Sequence, residues 1–263
     1  MLPKYEICRR HIIAYKKRTA SLKANIITFP IFWNYKTGLE KGEQTLLDEK
    51  NIDSTVSKLC GLLSTLAIKN NGFTEAGRIK QILRNIRPYY SDINKVNLGS
   101  GKINSYRDQI ESVYERMDTR AGDGSVTGHG ISIVAKSAIL MAIWGQIPRF
   151  DSLNRKRFEK WIHWPAPEKL PCLTIRDIWY RPDEFCEIIT ALDQWVMSWP
   201  ATNNGKSFQN CFSDLCPGIP PGRQIDIIYH WELPDNGMDY RLQTGGSYSD
   251  KNYNDSVNKY IVD

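Results

Sequence analysis

The sequence predicts a mainly α-helical protein, a bundle of helices with few or no strands. Apolar residues recur at helical spacing along most of the chain, and no region alternates in the manner of a multi-stranded sheet. The 263 residues, 41% of them hydrophobic and 24% charged, suit an ordinary globular domain rather than a disordered or fibrous chain. We expect residues 1–240 to form a single domain and the polar stretch 241–263 to be a weakly ordered tail.

The first third of the chain predicts a helical hairpin. Apolar residues at helical spacing indicate a helix over 53–69, which the stretch 70–72 (Asn-Asn-Gly) ends. Thr74 can cap a second helix, and Pro88 marks its end. Residues 25–35 are the best single candidate for a strand.

The middle of the chain predicts a central helix. Ser105 and Asp108 resemble a capping box that opens a helix before the glycine-rich stretch 121–130. Residues 131–144 are apolar on almost every side, and such a helix must lie at the centre of the bundle. A short connection follows, after which Asp151 can cap a strongly basic helix.

The last third predicts two more elements. Pro182 suits the first turn of a helix whose apolar residues fall on one face. After a loop at 217–222, residues 223–231 return to ordered structure as a helix or a strand. Arg223 and Asp226 form either a buried ion pair or an exposed pair of little energetic consequence.

The cysteines and apolar runs exclude several classes of protein. None of the six cysteines forms a C-x-x-C pair, so a disulfide framework is not expected. Cys211 and Cys216 could ligate a metal with Cys186 and His230, but their spacing matches no zinc or iron–sulfur pattern, and we expect neither metal nor cofactor. The longest apolar run, 138–144, is too short to span a membrane, and the N-terminus lacks the apolar core of a secretory signal. We therefore expect a cytoplasmic protein without a membrane partner.

The basic residues lie in two groups within a chain of net charge +6. The first group falls between Lys4 and Lys23, and the second follows the central helix. Each group alone is also compatible with a solvated helix face, but two groups in one chain favour a nucleic-acid partner. The second group consists of Arg149, Arg155, Lys156, Arg157 and Lys160.

Residues 127–158 combine three features that indicate chemistry. Glycines before a helix, at Gly128 and Gly130, allow the backbone to approach a phosphate closely, although they also serve as a plain turn. Lys136 stands in an apolar stretch, where desolvation would lower its pKa and make it a nucleophile, or it extends from the edge of a buried helix. Asp151 opens the next helix, as a catalytic carboxylate facing the same cleft or only as an N-cap.

This arrangement resembles the helix-hairpin-helix DNA glycosylase superfamily, which includes the 8-oxoguanine glycosylases. The shared features are the Gly-x-Gly turn, a Lys near the start of an apolar helix, a short Pro-containing connection and an Asp that opens a further helix. The resemblance implies a glycosylase-like domain with Lys136 as nucleophile and Asp151 as catalytic carboxylate. It also implies DNA backbone contacts by the hairpin. We assign these contacts to Gly128, His129, Gly130, Arg149, Arg155, Lys156 and Arg157.

The resemblance implies a hydrolase that flips a modified nucleotide out of double-stranded DNA and cleaves its N-glycosidic bond. If Lys136 is the nucleophile, the strand can also be nicked. The sequence does not identify the base that is removed. Modified bases of foreign phage DNA are among the candidates, which would correspond to a role in antiviral defence. We expect a monomer with Trp144, Phe150 and Trp161 around the extruded base.

Two other functions stay open at this stage. A non-catalytic helical DNA-binding module could use the same hairpin without its chemistry. A ribonuclease or toxin-like protein is less consistent with the sequence, because the four histidines are scattered and form no pair.

Overall fold

The computed structural model describes residues 20–66, 75–118, 131, 133–150, 182–202, 205–212 and 214–230, together with residues 5, 8, 9, 12 and 13. Within these ranges the chain is helical and contains no strand, as the sequence predicts. No helix there is both long enough and apolar enough to cross a membrane. The bounded helices are α1 (Ala20–Lys41), α2 (Ile52–Thr65), α3 (Ala76–Ile93), α4 (Arg107–Arg116), α5 (Ile133–Ile143), α6 (Pro182–Thr202), α7 (Phe208–Cys211) and α8 (Pro221–His230), with a 3-10 turn at Ile103–Tyr106.

Helix α5 is the predicted central helix. All of its residues except Val134 are buried, which an apolar surface on every side requires. It packs against α1 and α2, while α1 to α4 contact one another in chain order and α6 packs on α4. Gly145 follows the helix with a φ of 78°, the left-handed conformation that commonly ends helices. The Tyr90 hydroxyl donates to the Ile143 carbonyl at 2.8 Å, so the C-terminal end of α5 is bonded inside the core.

Helix α1 covers residues 25–35, so the prediction of a strand there is wrong. Phe29 and Phe32 are buried at helical spacing, whereas Ile31 between them is 56% exposed. Pro30 lies inside the helix and removes only its own backbone donor. The composition of the segment favours a strand, but packing against α2 and α5 stabilises the helix instead.

Helices α2 and α3 form the predicted hairpin. Helix α3 continues through Pro88 to Ile93, so the prediction that the proline ends it is wrong. Tyr90 and Ile93 are both buried beyond the proline. Their burial offsets the one hydrogen bond that Pro88 cannot donate.

The starts of the remaining helices agree with prediction in part. Ser105 lies inside the 3-10 turn, and the residue before α4 makes no side-chain capping bond, so the predicted capping box with Asp108 does not form. Helix α6 begins at Pro182, as predicted. The last predicted element is a helix rather than a strand, and it begins at Pro221. Residues 70–72, Thr74, the stretch 121–130, the basic helix from Asp151 and the tail after 240 lie outside the described residues.

Asp193 of α6 holds the loop between α3 and the 3-10 turn. Its carboxylate accepts the Gly99 N–H at 2.5 Å and further backbone hydrogen bonds from Ser100 and Gly101. Burial raises the pKa of Asp193, and these backbone bonds oppose the rise. Leu98, which precedes this loop, donates its N–H to Gln146 Oε1 at 2.9 Å, so the loop is also bonded to the connection after α5.

Candidate functional site

The connection after α5 folds back along the helix. The Phe150 N–H donates to the Ser137 hydroxyl at 2.9 Å, inside the core. Residue 150 therefore lies beside the middle of α5, next to Ser137, which follows Lys136 in the helix. Asp151, which follows directly in the chain, lies outside the described residues.

Lys136 is fully buried and paired, which does not fit the predicted role of nucleophile. Its Nζ lies 2.8 Å from Asp118 Oδ2 and 3.0 Å from the Tyr114 carbonyl, and 3.9 Å above the centre of the Tyr114 ring. Burial lowers the pKa of Lys136, as expected, while the Asp118 carboxylate opposes the fall. The amine is enclosed by protein groups, so a sugar atom of DNA cannot reach it in this conformation.

Asp118 is a site residue that the sequence analysis missed. Besides pairing with Lys136, its Oδ1 accepts the Ile131 N–H at 3.2 Å. Both bonds join the end of α4 to the start of α5, across the segment that contains Gly128 and Gly130. The two ends of that segment are therefore held together. An acid directly before a glycine-rich stretch was the available signal for this role.

Arg149 is buried, which does not fit its predicted contact with DNA. It is 8% exposed, and its Nη1 donates to the Leu66 carbonyl at 2.9 Å at the end of α2. Its Nε lies 3.6 Å from one oxygen of Asp226, whose other oxygen pairs with Arg223. The pair of Arg223 and Asp226 is thus the buried one of the two alternatives, and it links α8 to the connection after α5.

The two described aromatic residues predicted around a base are core residues. Phe150 packs edge-on against Phe185, with ring centres 5.8 Å apart. The Trp144 indole donates to the Val96 carbonyl at 3.0 Å and is buried, so it does not project toward DNA. Gly128, His129, Gly130, Arg155, Lys156, Arg157 and Trp161 lie outside the described residues.

A cavity of about 450 Å³ lies at the opposite end of α5. It is bordered by α1, the end of α3, the residues after α5, α7 and α8. Trp33, Lys36, Glu40 and Trp144 contribute to its wall, and its other polar side chains are mainly carboxamides. These carboxamides belong to Asn94, Asn97, Gln146, Gln209, Asn210 and Gln224. No sequence motif indicates this cavity, because its residues come from segments far apart in the chain.

The cavity lies away from Phe150, the residue that precedes Asp151, although Trp144 of the segment 127–158 contributes to its wall. Phe150 returns to the level of Ser137, whereas the cavity begins at Trp144, seven residues farther along. At 1.5 Å per residue, this spacing corresponds to about 10 Å along the axis of α5. The cavity is therefore distinct from the contact between Phe150 and Ser137.

Four of the five cysteines within the described ranges are buried, and Cys60 is partly buried. No group of three or more His, Cys, Asp or Glu side chains there could hold a metal ion. Burial raises the pKa of Cys186 to about 12. The Trp199 indole donates to Cys211 Sγ at 3.0 Å. The Cys186 thiol is therefore a poor nucleophile and a poor ligand at neutral pH.

Comparisons of the chain with models of protein families, with curated proteins and with solved structures find no match.

Proposed function

We propose that the protein is a DNA-base-excising glycosylase that flips a modified nucleotide from double-stranded DNA and hydrolyses its N-glycosidic bond. The observation that carries the proposal is the return of Phe150 to Ser137. It brings the residue that precedes Asp151 alongside α5, the helix that follows Gly128 and Gly130 in the chain. A catalytic carboxylate and a backbone-binding turn are required close together for this chemistry.

Asp151 is the catalytic carboxylate of the proposed reaction. Breaking the bond between base and sugar builds positive charge on the sugar, which a nearby carboxylate stabilises. The same carboxylate can accept a proton from the attacking water. The water oxygen bonds to the sugar carbon, the base leaves with a proton, and an abasic site remains.

The pairing of Lys136 with Asp118 favours water over an amine as the attacking group. Because the Lys136 amine is enclosed, no covalent imine with the sugar is expected. The proposed enzyme therefore leaves the DNA strand intact at the abasic site. Lys136 and Asp118 instead hold the two ends of the segment with Gly128 and Gly130, the proposed contact to the DNA backbone.

The proposal is tested with duplexes that each carry one modified base: an oxidised purine, an alkylated base or a hydroxymethylated pyrimidine. We expect alkali-labile sites on at least one duplex and no protein–DNA complex trapped by borohydride. Asp151→Asn should lower base release by a factor of 100 or more. Asp53→Asn, which changes an exposed aspartate on α2, serves as the matched control and should retain full activity.

The same experiment separates an enzyme from the non-catalytic DNA-binding module. The module would bind duplex DNA, release no base from any of the duplexes and lose little affinity on Asp151→Asn. Binding without alkali-labile sites would therefore overturn the proposed hydrolase. A trapped borohydride complex would contradict attack by water.

A further inference from the structure

The floor of the cavity contains a buried acceptor without a partner. Gln224 of α8 is 1% exposed, and its Nε2 donates to the Ile219 carbonyl at 2.9 Å. This bond fixes the orientation of the carboxamide and leaves Oε1 as the second polar atom. Among the described residues, no group donates to that oxygen. Because buried polar atoms are almost always hydrogen-bonded, Oε1 is suited to an N–H or O–H of an occupant.

Gln146 offers the opposite polarity in the same cavity. It is 8% exposed, and its Oε1 accepts the Leu98 N–H at 2.9 Å. The amide nitrogen of Gln146 is therefore the group left to donate to an occupant. Gln224 and Gln146 together fit a molecule that carries both a hydrogen-bond donor and an acceptor.

The charged residues of the cavity neutralise each other. Lys36 Nζ lies 2.5 Å from Glu40 Oε1, and the Asn94 amide donates to the same oxygen at 2.9 Å. Lys36 is itself buried. Neither a phosphate nor a free cation would therefore find an uncompensated partner here, and the cavity favours a neutral occupant.

The size and lining of the cavity fit a flat, polar molecule. A volume of about 450 Å³ lies in the range of small-molecule sites. Trp33 and Trp144 supply apolar ring surface, and the exposed Asn97 and Gln209 stand at the rim. Carboxamides are the side chains that pair with the hydrogen-bonding edges of bases, and indole rings contact their faces.

We propose that this cavity binds a neutral nucleobase or nucleoside as a free small molecule. The base donates to Gln224 Oε1 and accepts from Gln146 Nε2. The site is separate from the segment that enters Asp151, so this binding does not rest on the proposed glycosylase activity.

Isothermal titration calorimetry tests the class of ligand on the full chain. The ligands are adenosine, guanosine, cytidine and uridine, the corresponding 5′-monophosphates, and glucose as a neutral polar control. We expect at least one nucleoside to bind and its monophosphate to bind no more tightly, because the only cation among the described residues of the cavity, Lys36, is paired with Glu40. Failure of all four nucleosides, tighter binding of the monophosphate or binding of glucose alone would overturn the proposal.

A variant pair tests the position of the site. Gln224→Met keeps the length of the side chain and removes the acceptor, and we expect it to weaken nucleoside binding about tenfold. Gln81→Met is the matched control, because Gln81 lies on the exposed face of α3 and bonds only Asn85 there. Equal affinity of the wild type and Gln224→Met would contradict the assignment.

Hydrogen exchange locates the ligand in the wild-type chain, so the result does not depend on whether a variant folds. With the wild-type chain and the nucleoside that binds, we expect slower amide exchange in the peptides that cover 144–146 and 216–224. Protection confined to other peptides would place the ligand elsewhere and overturn the assignment to this cavity.

Discussion

Lys136 shows how one residue's role depends on its partner. The sequence correctly indicates that it lies among apolar residues, and burial lowers its pKa. The sequence does not reveal Asp118, which stands 18 residues earlier and reaches the amine only after α4 and α5 pack. A desolvated amine paired with a carboxylate stabilises the junction of two helices and is not exposed for catalysis.

The two partners of this ion pair should differ in their effect on stability. Asp118→Ala leaves a buried ammonium without its carboxylate, and we expect a loss of about 2–3 kcal/mol in the free energy of unfolding. Lys136→Met fills the same space with an apolar side chain and leaves Asp118 in contact with solvent, so the loss should be under about 1 kcal/mol. Urea denaturation of both variants at neutral pH measures the difference.

The pH dependence of the free energy of unfolding tests whether burial lowers the pKa of Lys136. Since burial lowers the pKa of Lys136, the unfolded chain binds more protons than the folded chain between that lowered pKa and about 10.4. The free energy of unfolding of the wild type, relative to that of Lys136→Met, should therefore rise as the pH rises through this window. A difference that stays constant through this window would contradict the lowering of the Lys136 pKa by burial.

At the scale of elements, the N-terminal end of α8 rests directly on the connection after α5. The Gly222 N–H donates to the Gly145 carbonyl at 2.9 Å. A Cβ on Gly222 would lie 2.4–2.6 Å from backbone atoms of Ile147, and backbone cannot move aside as a flexible side chain can. This contact places Gln224, two residues later, at the floor of the cavity.

Gly222→Ala should therefore destabilise the protein. We expect a loss of about 2–3 kcal/mol in the free energy of unfolding, because the added methyl forces α8 away from Ile147. Gly77 occupies the same second position of α3 and has no atom near its Cβ direction, so Gly77→Ala should be neutral or stabilise by up to about 1 kcal/mol. Thermal and urea denaturation compare the two. Equal stability of both variants would show that α8 shifts without cost.

The elements also show where sequence reasoning succeeds and fails. Helix α5 was predicted at 131–144 and is found at Ile133–Ile143, because a run that is apolar on every side has only one stable location. The local rules failed at Pro88 and at residues 25–35, where burial of neighbouring side chains outweighs a missing donor or a strand-like composition. The cavity could not be predicted, since it exists only where five segments meet.

At the scale of the whole molecule, part of the positive charge is internal. Lys36, Lys136, Arg149 and Arg223 are all buried, so they cannot contact a phosphate. The net charge of +6 therefore overstates the positive charge on the surface of the protein. Within 149–160, Arg149 does not add to that surface. If the protein binds DNA as proposed, the predicted contacts that remain in that group are Arg155, Lys156 and Arg157, and Lys160 lies beside them in the sequence.

The salt dependence of DNA binding tests this assignment. Each phosphate that a cation contacts contributes about 0.9 to the slope of the logarithm of the binding constant against the logarithm of salt concentration. Replacing Arg155, Lys156 and Arg157 together by Gln should lower that slope by about 0.9 for each one that contacts DNA.

The matched control replaces Lys41, Lys95 and Lys102 by Gln. These three lysines are exposed and lie outside both basic groups. Because both triple variants remove the same net charge, a general field effect would change both slopes equally, whereas a localised interface changes only the first. Equal slopes in the two variants would contradict the proposed DNA interface, and with it the hydrolysis of bases by the Asp151 region.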